Sequence, residues 1–145
     1  MTTVDRSALV MHSAASMFDI VNDVAAYPQF LPWCSATRII SVTDEEMVAS
    51  VDVSKGGLKY TFTTRNRLQR PAFIQLELVE GPFRKLTGKW DFKELNEQAC
   101  KVSLSLSFDF ANKLAGMAMG KVFNQIATTM VEAFCKRAEV LYGKA

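Results

Sequence analysis

His12 is the only histidine in the chain, and the three cysteines, Cys34, Cys100 and Cys135, stand far apart. A nucleophilic triad or dyad needs an imidazole beside a hydroxyl or thiol. His12 falls where a first strand should meet a helix cap, which is a poor place for that work. Metal ligation fares no better, because unclustered cysteines and one imidazole do not make a zinc or iron centre. Asp52, Glu77, Asp91 and Asp109 each alternate with apolar neighbours, so they are expected on the solvated side of strands, away from any enclosed substrate. Neither the dinucleotide-binding glycine pattern nor a P-loop occurs. The expectation is a protein without catalytic residues, metal or cofactor.

A few polar groups sit among apolar ones in a pattern suited to binding. Tyr60, Thr64 and Asn66 share strand parity with Leu58, Phe62 and Leu68, so a phenol, a hydroxyl and an amide face the same way as the apolar side chains. They are placed either to orient a ligand oxygen or, for Thr64 and Asn66 near a strand end, to meet water. Met117, Met119 and Met130 suit core filling or a pliable pocket wall. Arg137 interrupts an apolar helical stripe. It either snorkels to solvent or holds a ligand head group at a pocket mouth.

The elements that must position these groups follow from periodicity. Apolar residues recur at every second position through Val51 and Val53, Ile74 to Leu78, Leu86 to Phe92 and Val102 to Phe110, as they do in strands half-buried on one face. Short turns at Thr43 to Glu45, Lys55 to Gly57, Arg70 to Pro71, Gly81 to Pro82 and Asn96 to Gln98 separate the strands, as in an antiparallel meander. A first strand is expected over about Thr3 to Met11. Ser13 then caps a helix over about Ala14 to Val24. Pro28 and Pro32 limit Tyr27 to Leu31 to one short turn before a strand begins near Ser35.

From Asn112 to Tyr142 the period changes to that of a helix. Gly116, Met119, Phe123, Ile126, Met130, Phe134 and Leu141 make one apolar stripe. The predicted fold is therefore α+β with element order β-α-α-β6-α: a curved antiparallel sheet of about seven strands wrapped around a long C-terminal helix, the helix-grip (START-like, Bet v 1-like) architecture. One domain is expected over 1–145. A sheet of that many strands is roughly 30 Å wide, whereas a helix is only about 10 Å across. The sheet must curl, and an apolar cavity is expected where side chains do not fill the trough.

Composition agrees with a self-sufficient globular domain, 49% hydrophobic and 22% charged, so neither metal nor disulfide support is needed. Odd, dispersed cysteines fit a reducing compartment. With no secretory signal and no apolar run long enough for a membrane span, a cytoplasmic location is expected. Net charge is +2, but between Lys55 and Lys93 nine basic residues face three acidic ones, giving +6 there and −4 elsewhere. Lys59, Arg65 and Arg67 fall on the wet side of one strand, with Arg84 and Lys85 at a turn. Such charges either keep an outward face soluble or meet an anionic partner, ribosomal RNA or a phospholipid surface. DNA is not expected.

The segment Tyr27-Pro28-Gln29-Phe30-Leu31-Pro32-Trp33-Cys34 resembles the coenzyme Q-binding START-like family of the polyketide cyclase superfamily. Further matches are Gly81-Pro82-Phe83 with Leu86, the pair Trp90 and Phe92, and Phe108 and Phe110 before the last helix. The resemblance spans essentially the whole chain. It implies one of two roles: non-enzymatic binding of ubiquinone or another polyprenyl lipid in support of respiration, or, in a toxin branch, binding of the large ribosomal subunit that blocks subunit association. For the first role Phe30, Leu31, Pro32 and Trp33 are expected as a lid. Tyr60, Phe62, Asn66, Leu78, Trp90, Leu106 and Phe108 would line the trough, with Met119, Phe123 and Met130 opposite. For the second, Lys59, Arg65, Arg67, Arg84 and Lys85 are the expected RNA-facing set.

Overall fold

A computed structural model describes residues 2–143. Strand β1 (Thr2–Val10) leads to helix α1 (Ala14–Asn22) and a 3-10 turn (Val24–Gln29). Strands β2 (Cys34–Val42), β3 (Glu46–Lys55), β4 (Leu58–Gln69), β5 (Phe73–Glu80), β6 (Phe83–Asn96) and β7 (Ala99–Phe110) follow, and helix α2 (Lys113–Tyr142) is the last described element. All seven strands form one antiparallel sheet in the order β1-β7-β6-β5-β4-β3-β2. The helix-grip expectation is met in strand number, order and closing helix.

The local reasons are those of the sequence. Ser13 Oγ accepts a hydrogen bond from Ser16 N–H at 3.1 Å and starts α1. At the head of α2, Asn112 Oδ1 accepts from Ala115 N–H at 2.8 Å. The hairpin between β3 and β4 turns through Gly56 and Gly57, at φ 60° and 82°, the left-handed pair that matches strand twist. Helix α1 ends at Asn22, two residues before the expected Val24, and the 3-10 turn contains Pro28. Register shifts at Cys34/Ala36, Ile39/Ser41, Thr63/Thr64, Phe83/Lys85 and Glu94/Asn96 bend the strands. Among the described residues no helix is long and apolar enough to cross a membrane.

Two aromatic groups occupy the trough. At one end Phe123 from α2 meets Phe83 at 4.9 Å and Phe108 at 4.8 Å between ring centroids, with Phe62 at 6.0 Å. At the other, Phe134 meets Trp90 at 5.2 Å, Tyr27 at 5.4 Å and Phe30 at 5.6 Å. Of the α2 stripe, Phe123, Ile126 and Phe134 are deeply buried, and Gly116, Met119 and Met130 are half-buried. Leu141 and Met117 are exposed, contrary to the stripe and core-filling expectations.

Candidate functional site

Between those aromatic groups a hollow survives, of about 80 Å³. That admits a few water molecules and falls far below the roughly 300–1,000 Å³ of a small-molecule pocket. The width argument thus gives a cavity but overstates its size, because the large rings inside the curl fill what one helix leaves open.

Phe62, Asn66, Trp90 and Leu106 line this hollow from the sheet, and Phe123 and Met130 from α2. Trp33 closes it from the bend. Phe108 is buried but seals the aromatic end, stacked edge-on against Phe123. Leu78 and Met119 are half-buried and lie off the hollow, a correction to the expected lining. Strand parity puts Leu78 on the inner side, yet it sits at the end of β5 beside Gly81. Tyr60 is likewise off the hollow, and its hydroxyl is buried with no hydrogen-bond partner. Burial holds the Tyr60 phenol well above its ordinary range.

Thr64 and Asn66 are buried, not in water. The Thr64 hydroxyl donates to Asn66 Oδ1 at 2.7 Å, and both face the hollow. Asn22, at the end of α1, also lines the hollow, its Oδ1 buried and unpartnered. Periodicity gave no hint of Asn22, since it lies at a helix terminus and reaches the hollow only through the way α1 packs on the sheet. The hollow is thus apolar with one polar side, where a hydroxyl or water finds both donor and acceptor. Tyr27, buried, donates its hydroxyl to Val21 O and ties the 3-10 turn to α1.

Phe30, Leu31 and Pro32 face a different space. With Trp33, Lys55 and the second half of α2 they border a half-open groove of about 690 Å³. Arg137 lies across the Phe30 ring, its guanidinium carbon 4.9 Å from the centroid, and Nη2 donates to Gln29 Oε1 at 3.2 Å. Its position is fixed by contacts and not by snorkelling alone.

The basic set lies on the outer, convex face. Arg65 and Arg67 border one shallow depression with Gln75, Glu77 and Thr87. Register sets Arg67 beside Gln75, and Gln75 beside Lys89, which brings a third cation into the row. Arg65 pairs with Glu46 at 2.9 Å, and Arg84 pairs with Asp109. Lys85 is exposed two residues from Thr87 on β6. Lys59 stands apart, six residues or about 20 Å along β4 from Arg65. Asp52 sits at the edge of this face, gripped by both Arg38 Nη atoms at 3.0 and 3.1 Å and by the Thr61 hydroxyl at 2.7 Å. The Arg38 contact, then Thr61, holds its carboxyl below the ordinary range.

The thiols are also placed. Burial pushes Cys34 up to about 11 and Cys100 up to about 11, so both stay protonated at neutral pH. His12 packs its ring 5.9 Å from Tyr142.

Known proteins agree with this architecture. The chain is 51% identical over 144 residues to the ribosome association toxin RatA of Vibrio cholerae serotype O1, covering 99% of this chain and 100% of that one. It is 25% identical over 139 residues to the mitochondrial coenzyme Q-binding protein coq10 of Schizosaccharomyces pombe, covering 92% and 85%. In fold it is similar to the Zhui aromatase/cyclase from Streptomyces sp. R1128, with a TM-score of 0.81 at 19% identity over 95% of this chain and 93% of that one. Residues 10–135 match the family described as polyketide cyclase / dehydrase and lipid transport, and the chain belongs to that family.

Proposed function

We propose that this chain binds the large ribosomal subunit through its convex sheet face and thereby hinders subunit association. The observation that carries this reading is the 51% identity, over nearly the full length of both chains, to a relative named for ribosome association. The surface supports it: Arg65, Arg67 and Lys89 are brought close by strand register, with Lys85 exposed further along β6, on a side of the sheet that no helix covers. An RNA backbone recognised in this way needs no cavity, which suits a trough filled by aromatic rings. The test is co-sedimentation with isolated large subunits. Wild type should pellet with them, and a variant carrying Arg65→Ala, Arg67→Ala and Lys85→Ala should stay largely in the supernatant. Absence of wild-type co-sedimentation would remove the proposal.

A second reading is favoured by the polar side of the hollow and by the coenzyme Q-binding relative. In it a lipophilic ligand such as a polyprenyl quinone places its ring oxygen at Asn22, Thr64 and Asn66. An 80 Å³ space holds no isoprenoid chain, so the first third of α2 would have to move aside. No residue from Lys113 to Val122 is deeply buried, which makes that first third the weakly held part. Organic extraction and mass spectrometry of the purified protein tests this reading. Reproducible absence of lipid, with no uptake of added quinone, counts against it.

A further inference from the structure

The groove between the Phe30 bend and the end of α2 differs from both the hollow and the convex face. Its floor is apolar, made by Phe30, Leu31, Trp33 and Ala133, with Val140 exposed beside it. Its rim carries Lys55, Lys136 and Arg137 against a single acid, Glu132. Glu132 is already engaged by Lys136 at 3.1 Å. Among the described residues no carboxylate lies within ion-pairing distance of Lys55 or Arg137. Two cations therefore stand unneutralised over an oily floor, in a space of about 690 Å³, well within the usual range for ligand pockets of roughly 300–1,000 Å³.

Arg137 is also pre-positioned. The Phe30 ring supports one face of the guanidinium, and Gln29 takes one of its N–H groups. The remaining donors of a five-donor fork are left for a planar or tetrahedral anion. Loss of side-chain freedom, a large part of the cost of holding an anion with arginine, is thus partly met before anything binds.

We propose that this groove binds a single-chain anionic amphiphile, a carboxylate or phosphate head on an alkyl chain. The head sits on Arg137 with Lys55 nearby, and the chain lies on Phe30, Leu31, Trp33 and Val140. Neither half of the site alone selects this ligand. A free anion leaves the apolar floor wet, and a neutral chain leaves two cations without a partner. A flat membrane surface does not reach the floor of a recessed groove, so the ligand is a monomer taken from solution or extracted from a bilayer. Trp33 lines both this groove and the inner hollow, so its fluorescence reports occupancy of either.

The experiment titrates the full chain with dodecanoate and with dodecyl phosphate below their aggregation concentrations, by calorimetry and tryptophan fluorescence. Dodecanol, acetate and inorganic phosphate are the comparators. Saturable one-to-one binding is expected for both amphiphiles, at least tenfold weaker binding for dodecanol, and none for the short anions. Arg137→Gln should weaken dodecanoate about tenfold or more and leave dodecanol unchanged. Backbone amide shifts of wild type should move at 29–33 and 129–140. Equal affinity for dodecanol, full affinity in Arg137→Gln, or no saturable binding overturns the proposal. So does a shift pattern centred on Ala49, Thr64 and Leu106, which would put the chain in the hollow. Ribosome binding by the convex face is untouched by any of these results.

Discussion

Phe123 stands edge-on to Phe83, ring centroids 4.9 Å apart, and this contact joins the final helix to the start of β6 across one end of the trough. Phe123 is also 4.8 Å from Phe108 and 6.0 Å from Phe62 by the same measure, so its ring fills space that three neighbours define. Phe123→Ala should lower unfolding free energy by about 3–5 kcal/mol in a urea titration, as large-to-small changes in tight cores do. It should also enlarge the hollow enough to take up small apolar molecules such as benzene. A loss under about 1 kcal/mol would mean the trough is not closed by this ring.

Gly88 marks a close approach in the middle of β6. A Cβ there would lie 2.7 Å from Leu106 Cδ1 and 3.2 Å from the Ser105 carbonyl oxygen. The leucine can shift, but the backbone oxygen of the neighbouring strand has little room. Gly88→Ala is expected to cost about 1–3 kcal/mol. Unchanged or raised stability by thermal and urea denaturation would contradict the packing described.

The depressed carboxyl of Asp52 makes a pH prediction. In the folded chain Arg38 and Thr61 favour its charged form, so its folded pKa lies below its unfolded one. Its contribution to stability is fully present above the ordinary carboxylate range and is lost as pH falls through the lower, folded value. Arg38→Gln should bring the Asp52 midpoint, followed by carbonyl carbon NMR, back toward about 3.9 and flatten the loss of stability below about pH 4. An Asp52 midpoint that the variant leaves where it was would refute the assignment.

Tyr27→Phe removes the hydroxyl that donates to Val21 O while keeping the ring against Phe134. A buried carbonyl losing a donor costs about 1–3 kcal/mol. Faster amide exchange confined to α1 and the 3-10 turn should accompany that loss. Uniform exchange changes, or none, would show that the bond does not tie the two segments.

Sheet and helices were legible because their signals are local. The alternation from Val102 to Phe110 sets which face of β7 is buried, and Ser13 and Asn112 mark helix starts by side-chain chemistry alone. Depth was not legible. Leu78 and Leu106 share an inward parity, but only Leu106 reaches the hollow, since parity fixes a face and not a position under the helix. The pairing of Gln29 with Arg137 joins residues 108 apart in sequence, and no periodicity carries that information. Asn22 entered the polar side of the hollow for the same reason. The size of the hollow depended on aromatic rings meeting across the trough, which the spacing of any one strand does not reveal.

The basic face was foreseen as a set of residues but not as a row. Alternation put Arg65 and Arg67 outward. Only strand pairing put Lys89 across Gln75 from Arg67, whereas Lys59 is set apart by its six-residue distance along β4 from Arg65.

The central claim, that phosphate contacts by this row hold the chain on the large ribosomal subunit, is tested most directly by the salt dependence of that affinity. Affinity of wild type should fall linearly on a log–log plot against salt, and the Arg65→Ala, Arg67→Ala, Lys85→Ala variant should bind more weakly with a slope shallower by about 2–3. A wild-type affinity indifferent to salt, or a variant with the same slope and affinity, would contradict the account.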